Sequence, residues 1–229
     1  CTTPHQIGYD RVVFYLKNKN DLLRTVISEV ASYNLLSLYW FIIRTIQDFK
    51  EANFLLEELL RNIRDTKVSV NNGSSALLYA KGLINIIIGC GENGELDNAK
   101  VYLNKIKSIH DAFKDNSDIA LRYAKGLFRI IIGCGENGEL TNAKVYLNEL
   151  KSLHNTFKDN IDIALSYAKG LVNIINYCRK NSELDNAKVY LNELKTLNNT
   201  FKDIDIALYY SACLFNITNY CGENGELDN

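Results

Sequence analysis

Residues 141–157 place Ala143, Tyr146, Leu147, Leu150, Leu153 and Phe157 at three- and four-residue steps, with Lys144, Asn148, Lys151 and Asn155 opposite them. That spacing predicts an amphipathic helix with one buried stripe. The preceding segment, 119–133, is apolar nearly all round. Its polar residues Arg122, Lys125 and Arg129 fall at steps of three and four and form one narrow stripe. A helix of that kind must be covered on most sides. The two patterns together predict an inner helix sheathed by neighbours and an outer helix with one wet face.

The pair recurs. "NAKVYLN" stands at 98–104, 142–148 and 186–192, "YAKGL" at 79–83, 123–127 and 167–171, and "FKD" at 113–115, 157–159 and 201–203, each 44 residues apart. The units are 74–117, 118–161, 162–204 and a partial 205–229. One helix pair cannot bury both apolar faces, but stacked copies bury a continuous core, so the repeat predicts an all-α array. Ser74, Asp118, Asp162 and Asp205 are expected to cap the first helices. Residues 1–73 repeat less clearly and are read as a divergent N-terminal helical unit or cap. It has a short helix near 9–17, a long apolar helix within 21–46, and "KEANFLLEEL" at 50–59 in place of the outer helix. Residues 64–75 form the connection to the regular array.

"GCGENGEL" at 89–96 satisfies G-x-G-x-x-G with Gly89, Gly91 and Gly94. A dinucleotide loop belongs once, between a strand and a helix. Here the string returns at 133–140, and at 177–184 Tyr177, Arg179 and Ser182 hold the glycine positions. A phosphate cradle fails with that exchange, because the backbone must approach the phosphates closely. A helix–helix turn survives it, so these glycines are expected to end the inner helix in the left-handed conformation. Glu95 and Asp97 then stand where the next helix dipole favours negative charge.

Composition narrows the function classes. Lys and Arg number 26 against 27 Asp and Glu, and no charge block or basic amphipathic segment occurs, so nothing points to nucleic acid or an anionic membrane. No apolar run approaches the length of a membrane span. The chain starts at Cys1, lacks Met and stops at "GELDN", where earlier copies run on into a second helix. It reads as a piece of something longer, with a mature lipoprotein N-terminus as the alternative. Cys90, Cys134, Cys178 and Cys221 form a column, one per unit. Units about 10 Å apart put adjacent members beyond disulfide reach, so they are expected to be free, small buried hydrophobes, with Cys213 in the core. Free thiols point weakly to a cytoplasmic location.

The units resemble the tetratricopeptide-repeat family. The small residues Ala80 or Gly82 and Ala124 or Gly126 occupy the first helix. Ala99-x-x-x-Leu103, Ala143-x-x-x-Leu147 and Ala187-x-x-x-Leu191 in the second are similar to the family's Ala-x-x-x-Phe, and Leu96-Asp97-Asn98-Ala99 is similar to its helix opening. The resemblance covers about 74–229 and implies a right-handed α-solenoid of stacked antiparallel helix pairs. The period of 44 exceeds the family's 34, and the aromatic start and closing proline are missing. HEAT-type and other helical repeats of about 40–47 residues stay open.

No nucleophile, base and orienter come together in the pattern, and no HExxH or comparable ligand cluster exists. No catalytic residue, metal or cofactor is expected. His110 and His154 share one repeat position and are expected on the outer-helix surface. The N-x-S/T sequons at Asn72, Asn198 and Asn216 are unsurprising in so Asn-rich a chain. The inner-helix stripe is the candidate site: Lys81 and Asn85, Arg122, Lys125 and Arg129, and Lys169 and Asn173, extended by Ser166 and fading at Ala212 and Asn216. Donors at four-residue spacing suit carboxylates or the backbone of an extended peptide. The pattern is similar to the Lys and Asn/Arg pairs that clamp acidic C-termini in some tetratricopeptide domains. The expected function is a non-enzymatic scaffold that binds a protein or peptide partner, acidic or with a free carboxylate, in the concave groove. The alternative is the sensor or regulatory arm of a larger enzyme or signalling protein.

Overall fold

The computed structural model describes residues 73–223. Over these residues the chain is all-α, with no strand. The helices are α1 (Gly73–Glu92), α2 (Leu96–Ala112), α3 (Ser117–Glu136), α4 (Leu140–Thr156), α5 (Ile161–Lys180), α6 (Leu184–Phe201) and α7 (Ile204–Glu223). The helices expected near 9–17 and within 21–46 and 50–59, the rest of the N-terminal unit before residue 73, and the chain end at 224–229 lie outside the described residues. So do Asn72 and most of the 64–75 connection.

The chain divides into two compact units, Cys1–Ile86 and Ile87–Asn229. The described part of the first is the opening stretch of α1, where Ala76, Ala80, Leu83, Ile84 and Ile86 are buried.

In the second unit the inner-helix sequences pack as their apolar circumference requires. Helix α3 lies against α2, α4 and α5. Helix α5 lies against α3, α4, α6 and α7, and α6 lies against α7. The outer helices α4 and α6 therefore each touch the inner helix of their own unit and that of the next. On α3, Ile119, Ala120, Ala124, Leu127, Ile130 and Ile131 are fully buried, and Ile163, Ala164, Leu171, Ile174 and Ile175 repeat this on α5. The outer helix α4 buries Ala143, Leu147, Leu150 and Leu153, while Asn148 and Asn155 stay exposed. A fully buried leucine is worth about 1.5–3 kcal/mol, so one stripe of this kind anchors each outer helix.

The helix starts differ from expectation. Asp118 and Asp162 lie in the first turns of α3 and α5, and the caps are Asn116 and Asn160. Asn116 Oδ1 accepts from the Asp118 and Ile119 N–H groups at 3.1 Å, and Asn160 Oδ1 accepts from Ile163 N–H at 3.1 Å. At the last inner helix Asp203, not Asp205, accepts from the Asp205 and Ile206 amides. Ser74 lies inside α1. The side-chain oxygen must reach amides two and three residues on, which only the earlier residue can do.

The glycine expectation holds for one position in three. Gly94 and Gly138 have positive φ of 71° and 76°. Around them Glu95 N–H donates to Cys90 O and Gly94 N–H to Gly91 O, and Glu139 and Gly138 repeat both bonds to Cys134 and Gly135. This is the paired closure of a helix on a left-handed residue. Ser182 takes the same role at φ 58°, with Glu183 and Ser182 donating to Cys178 and Arg179. Gly89, Gly91, Gly133 and Gly135, in contrast, belong to the last turns of α1 and α3.

Candidate functional site

Lys81 and Asn85 lie half-buried on α1 in the first compact unit. In the second unit, Arg122 and Lys125 are half-buried on α3, Arg129 is exposed at its far end, Lys169 is exposed on α5, and Asn173 is half-buried. The structure brings Arg122 and Lys169 near enough for their charges to act on Lys125. Burial pushes the Lys125 ammonium pKa down, the Arg122 and Lys169 charges add to that, and Asp162 opposes it. The Arg122 Nε is buried without a hydrogen-bond partner. Among the described residues, none of Arg122, Lys125, Arg129 and Lys169 makes an ion pair. The Arg129 guanidinium instead lies 5.7 Å from the centroid of the Phe128 ring.

Two polar members of the stripe turn back on their own helix. Asn173 Nδ2 donates to Lys169 O at 2.9 Å. Ser166 does not extend the stripe as expected. It is buried, 5% exposed, and its hydroxyl donates to Asp162 O at 2.9 Å. A short hydroxyl in a helix finds the carbonyl four residues back closer than any outside partner.

Four outer-helix lysines are paired, each with a carboxylate from the next repeat. Lys100 reaches Glu139 at 3.2 Å, Lys144 reaches Glu183 at 2.6 Å, Lys151 reaches Glu193 at 2.9 Å, and Lys107 pairs with Glu149. Glu139 and Glu183 also accept from Asn142 and Asn186, and these bonds together with the lysines hold both carboxyls below the usual range. Glu149 and Glu193 take a further bond from inside the fold. The Tyr123 hydroxyl donates to Glu149 at 2.6 Å, and Tyr167 does the same to Glu193. Burial, then the glutamate bond, push both phenols far above their ordinary pKa.

The histidines belong to this joint and not to the surface. His154 is 9% exposed and His110 is half-buried. Their rings stack on Tyr167 and Tyr123 with centroids 5.6 and 5.5 Å apart, tilted against Phe201 and Phe157. Both Nδ1 atoms are buried without a partner, and burial lowers both pKa values. The joint was missed in the sequence because its members lie on three helices. The recurrence of Tyr123 and Tyr167 at the head of "YAKGL", and of Glu149 and Glu193, was the available signal.

Cys90, Cys134, Cys178, Cys213 and Cys221 are free and buried, as expected. Burial pushes the Cys90, Cys134 and Cys213 thiols up to about 11, which leaves them protonated and poorly nucleophilic at neutral pH. No described helix is long and apolar enough to cross a membrane. No protein-family model, curated protein or solved structure matches the chain.

Proposed function

We propose that the chain is a tetratricopeptide-like, right-handed α-solenoid that acts as a non-enzymatic scaffold. It binds an acidic or carboxylate-bearing peptide along the inner-helix face through Arg122, Lys125, Arg129 and Lys169. The supporting observation is that the Arg122 and Lys169 charges act on Lys125, opposed by Asp162 but with no ion pair formed among the described residues, while four outer-helix lysines are bridged. Neighbouring cations that form no ion pair within the fold attract an anion from outside. The guanidinium of Arg122 offers a planar donor set suited to a carboxylate.

A peptide library titrated against the protein tests this reading. Acidic or C-terminally free peptides are expected to bind, and the double substitution Lys125→Glu, Arg129→Glu is expected to abolish binding. Unchanged binding of every detected peptide to that variant overturns it.

A further inference from the structure

Tyr177 breaks the glycine pattern of the repeats, and the structure shows what it does there. Its ring packs directly on the backbone of Gly135, so closely that a Cβ added at Gly135 would run into the ring. Its hydroxyl donates to Ile132 O at 3.2 Å. The helix ends of α3 and α5 are thus joined by a phenol seated on a glycine and bonded to a helix-end carbonyl.

The same seat exists one repeat earlier without its phenol. Stepping back 44 residues, Gly135 corresponds to Gly91, Ile132 to Ile88, and Tyr177 to Gly133. A Cβ added at Gly91 would meet nothing within 4 Å. Ile88, Gly91 and Gly133 line an open cleft of about 190 Å³ together with the apolar Ile87 and Ile132 and the charged Glu92, Arg129 and Glu136. A cavity of about 150 Å³ with apolar walls accepts a benzene-sized ring, so the cleft has room for one aromatic side chain. The counterpart of the Ile132 carbonyl that receives Tyr177 is the Ile88 carbonyl, and a backbone carbonyl carries two lone pairs, so one within a helix still accepts a second donor.

We infer that the cleft between Gly91 and Gly133 is a pocket for a tyrosine side chain of a partner protein, the ring seated on Gly91 and the hydroxyl donating to Ile88 O. The chain's own Tyr177, at the matching place in the next repeat, is the pattern for this occupant. Phenylalanine fits the same cleft but makes no bond to the carbonyl, and one neutral hydrogen bond sets the two apart by about five-fold in affinity. The cleft shares Arg129 with the cationic stripe, but the ring seat rests on Gly91 and Gly133, so Gly133→Tyr tests it separately from the peptide-binding proposal.

The test is an amide NMR titration of the full chain with N-acetyl-tyrosinamide and, separately, N-acetyl-phenylalaninamide. Saturable shifts centred on Ile88, Gly91 and Gly133 are expected, with the tyrosine probe about five times tighter. Gly133→Tyr should plug the cleft and abolish them. A Cβ there meets the end of the buried Leu96 side chain at 2.8 Å and no backbone, so Leu96 must shift to admit it, and the fold of the variant is checked by its amide spectrum. Tyr177→Gly should open a second seat, adding shifts at Ile132 and Gly135. Shifts that do not saturate or lie elsewhere, equal affinity for the two probes, or binding that persists in folded Gly133→Tyr would overturn the assignment. So would binding of p-cresol with exclusion of the tyrosine probe, which would mark a pocket for a small free phenol.

Discussion

The second compact unit carries two rows of cations, and they are treated in opposite ways. On the outer helices Lys100, Lys107, Lys144 and Lys151 each meet a glutamate of the next repeat. On the inner helices Arg122, Lys125, Arg129 and Lys169 meet none among the described residues, and the first two stand beside each other half-buried. The outer row serves the fold, because each pair spans a joint between repeats. In the inner row, burial and the Arg122 and Lys169 charges disfavour the Lys125 ammonium. Cations that make no ion pair among the described residues are the ones on which an external anion is to be tested.

The largest way to break this contrast is at the outer joint. Glu149→Ala removes the acceptor of the buried Tyr123 hydroxyl together with the partner of Lys107, and leaves a buried donor unmet. Urea unfolding is expected to show a loss of about 1–3 kcal/mol.

The histidines of the same joint test whether it tolerates an unpaired cation. An unfolded histidine takes its proton near pH 6.5, while burial holds His110 and His154 neutral to lower pH. Below about pH 6.5 the unfolded chain binds more protons than the folded one, so stability must fall as the pH drops. Around His110 the carboxylates Asp111 and Glu149 favour the charged form and Lys114 disfavours it, yet burial outweighs them. His154→Asn, which copies Asn198 of the next repeat, should flatten the decline between pH 7 and 5. A decline of unchanged steepness would remove His154 from this role.

The smallest effects compare one lysine from each row. Lys107→Met forfeits a half-exposed ion pair and should cost less than about 1 kcal/mol, shrinking further in high salt. Lys125→Met should cost nothing, since it removes a charge already disfavoured by burial and by Arg122 and Lys169. A clear loss in Lys125→Met would show that the inner row is structural and would blunt the contrast.

Much of the described fold was legible in the repeats. Apolar residues at three- and four-residue steps marked α4, and the near-continuous apolar circumference marked α3 as the helix needing cover. The turn glycines at 94 and 138 followed from the backbone conformation that a helix end requires. The caps slipped by two residues because Asp118 and Asn116 are both good caps and composition alone does not choose between them. The histidines were misplaced because their partners come from other helices, and a residue's neighbours along its own helix carry no sign of them. Tyr177 read only as a departure from glycine until its ring was seen resting on Gly135.

The sequence by itself determined the helical units, their 44-residue period and the burial of the cysteine column, because periodicity and side-chain size act along one chain. Only the tertiary structure decided which charges are neutralised and which stand open. It also decided which histidines are enclosed and which glycine seat is filled. Those outcomes depend on groups from different helices meeting within a few ångströms, and no spacing along a single helix encodes that distance.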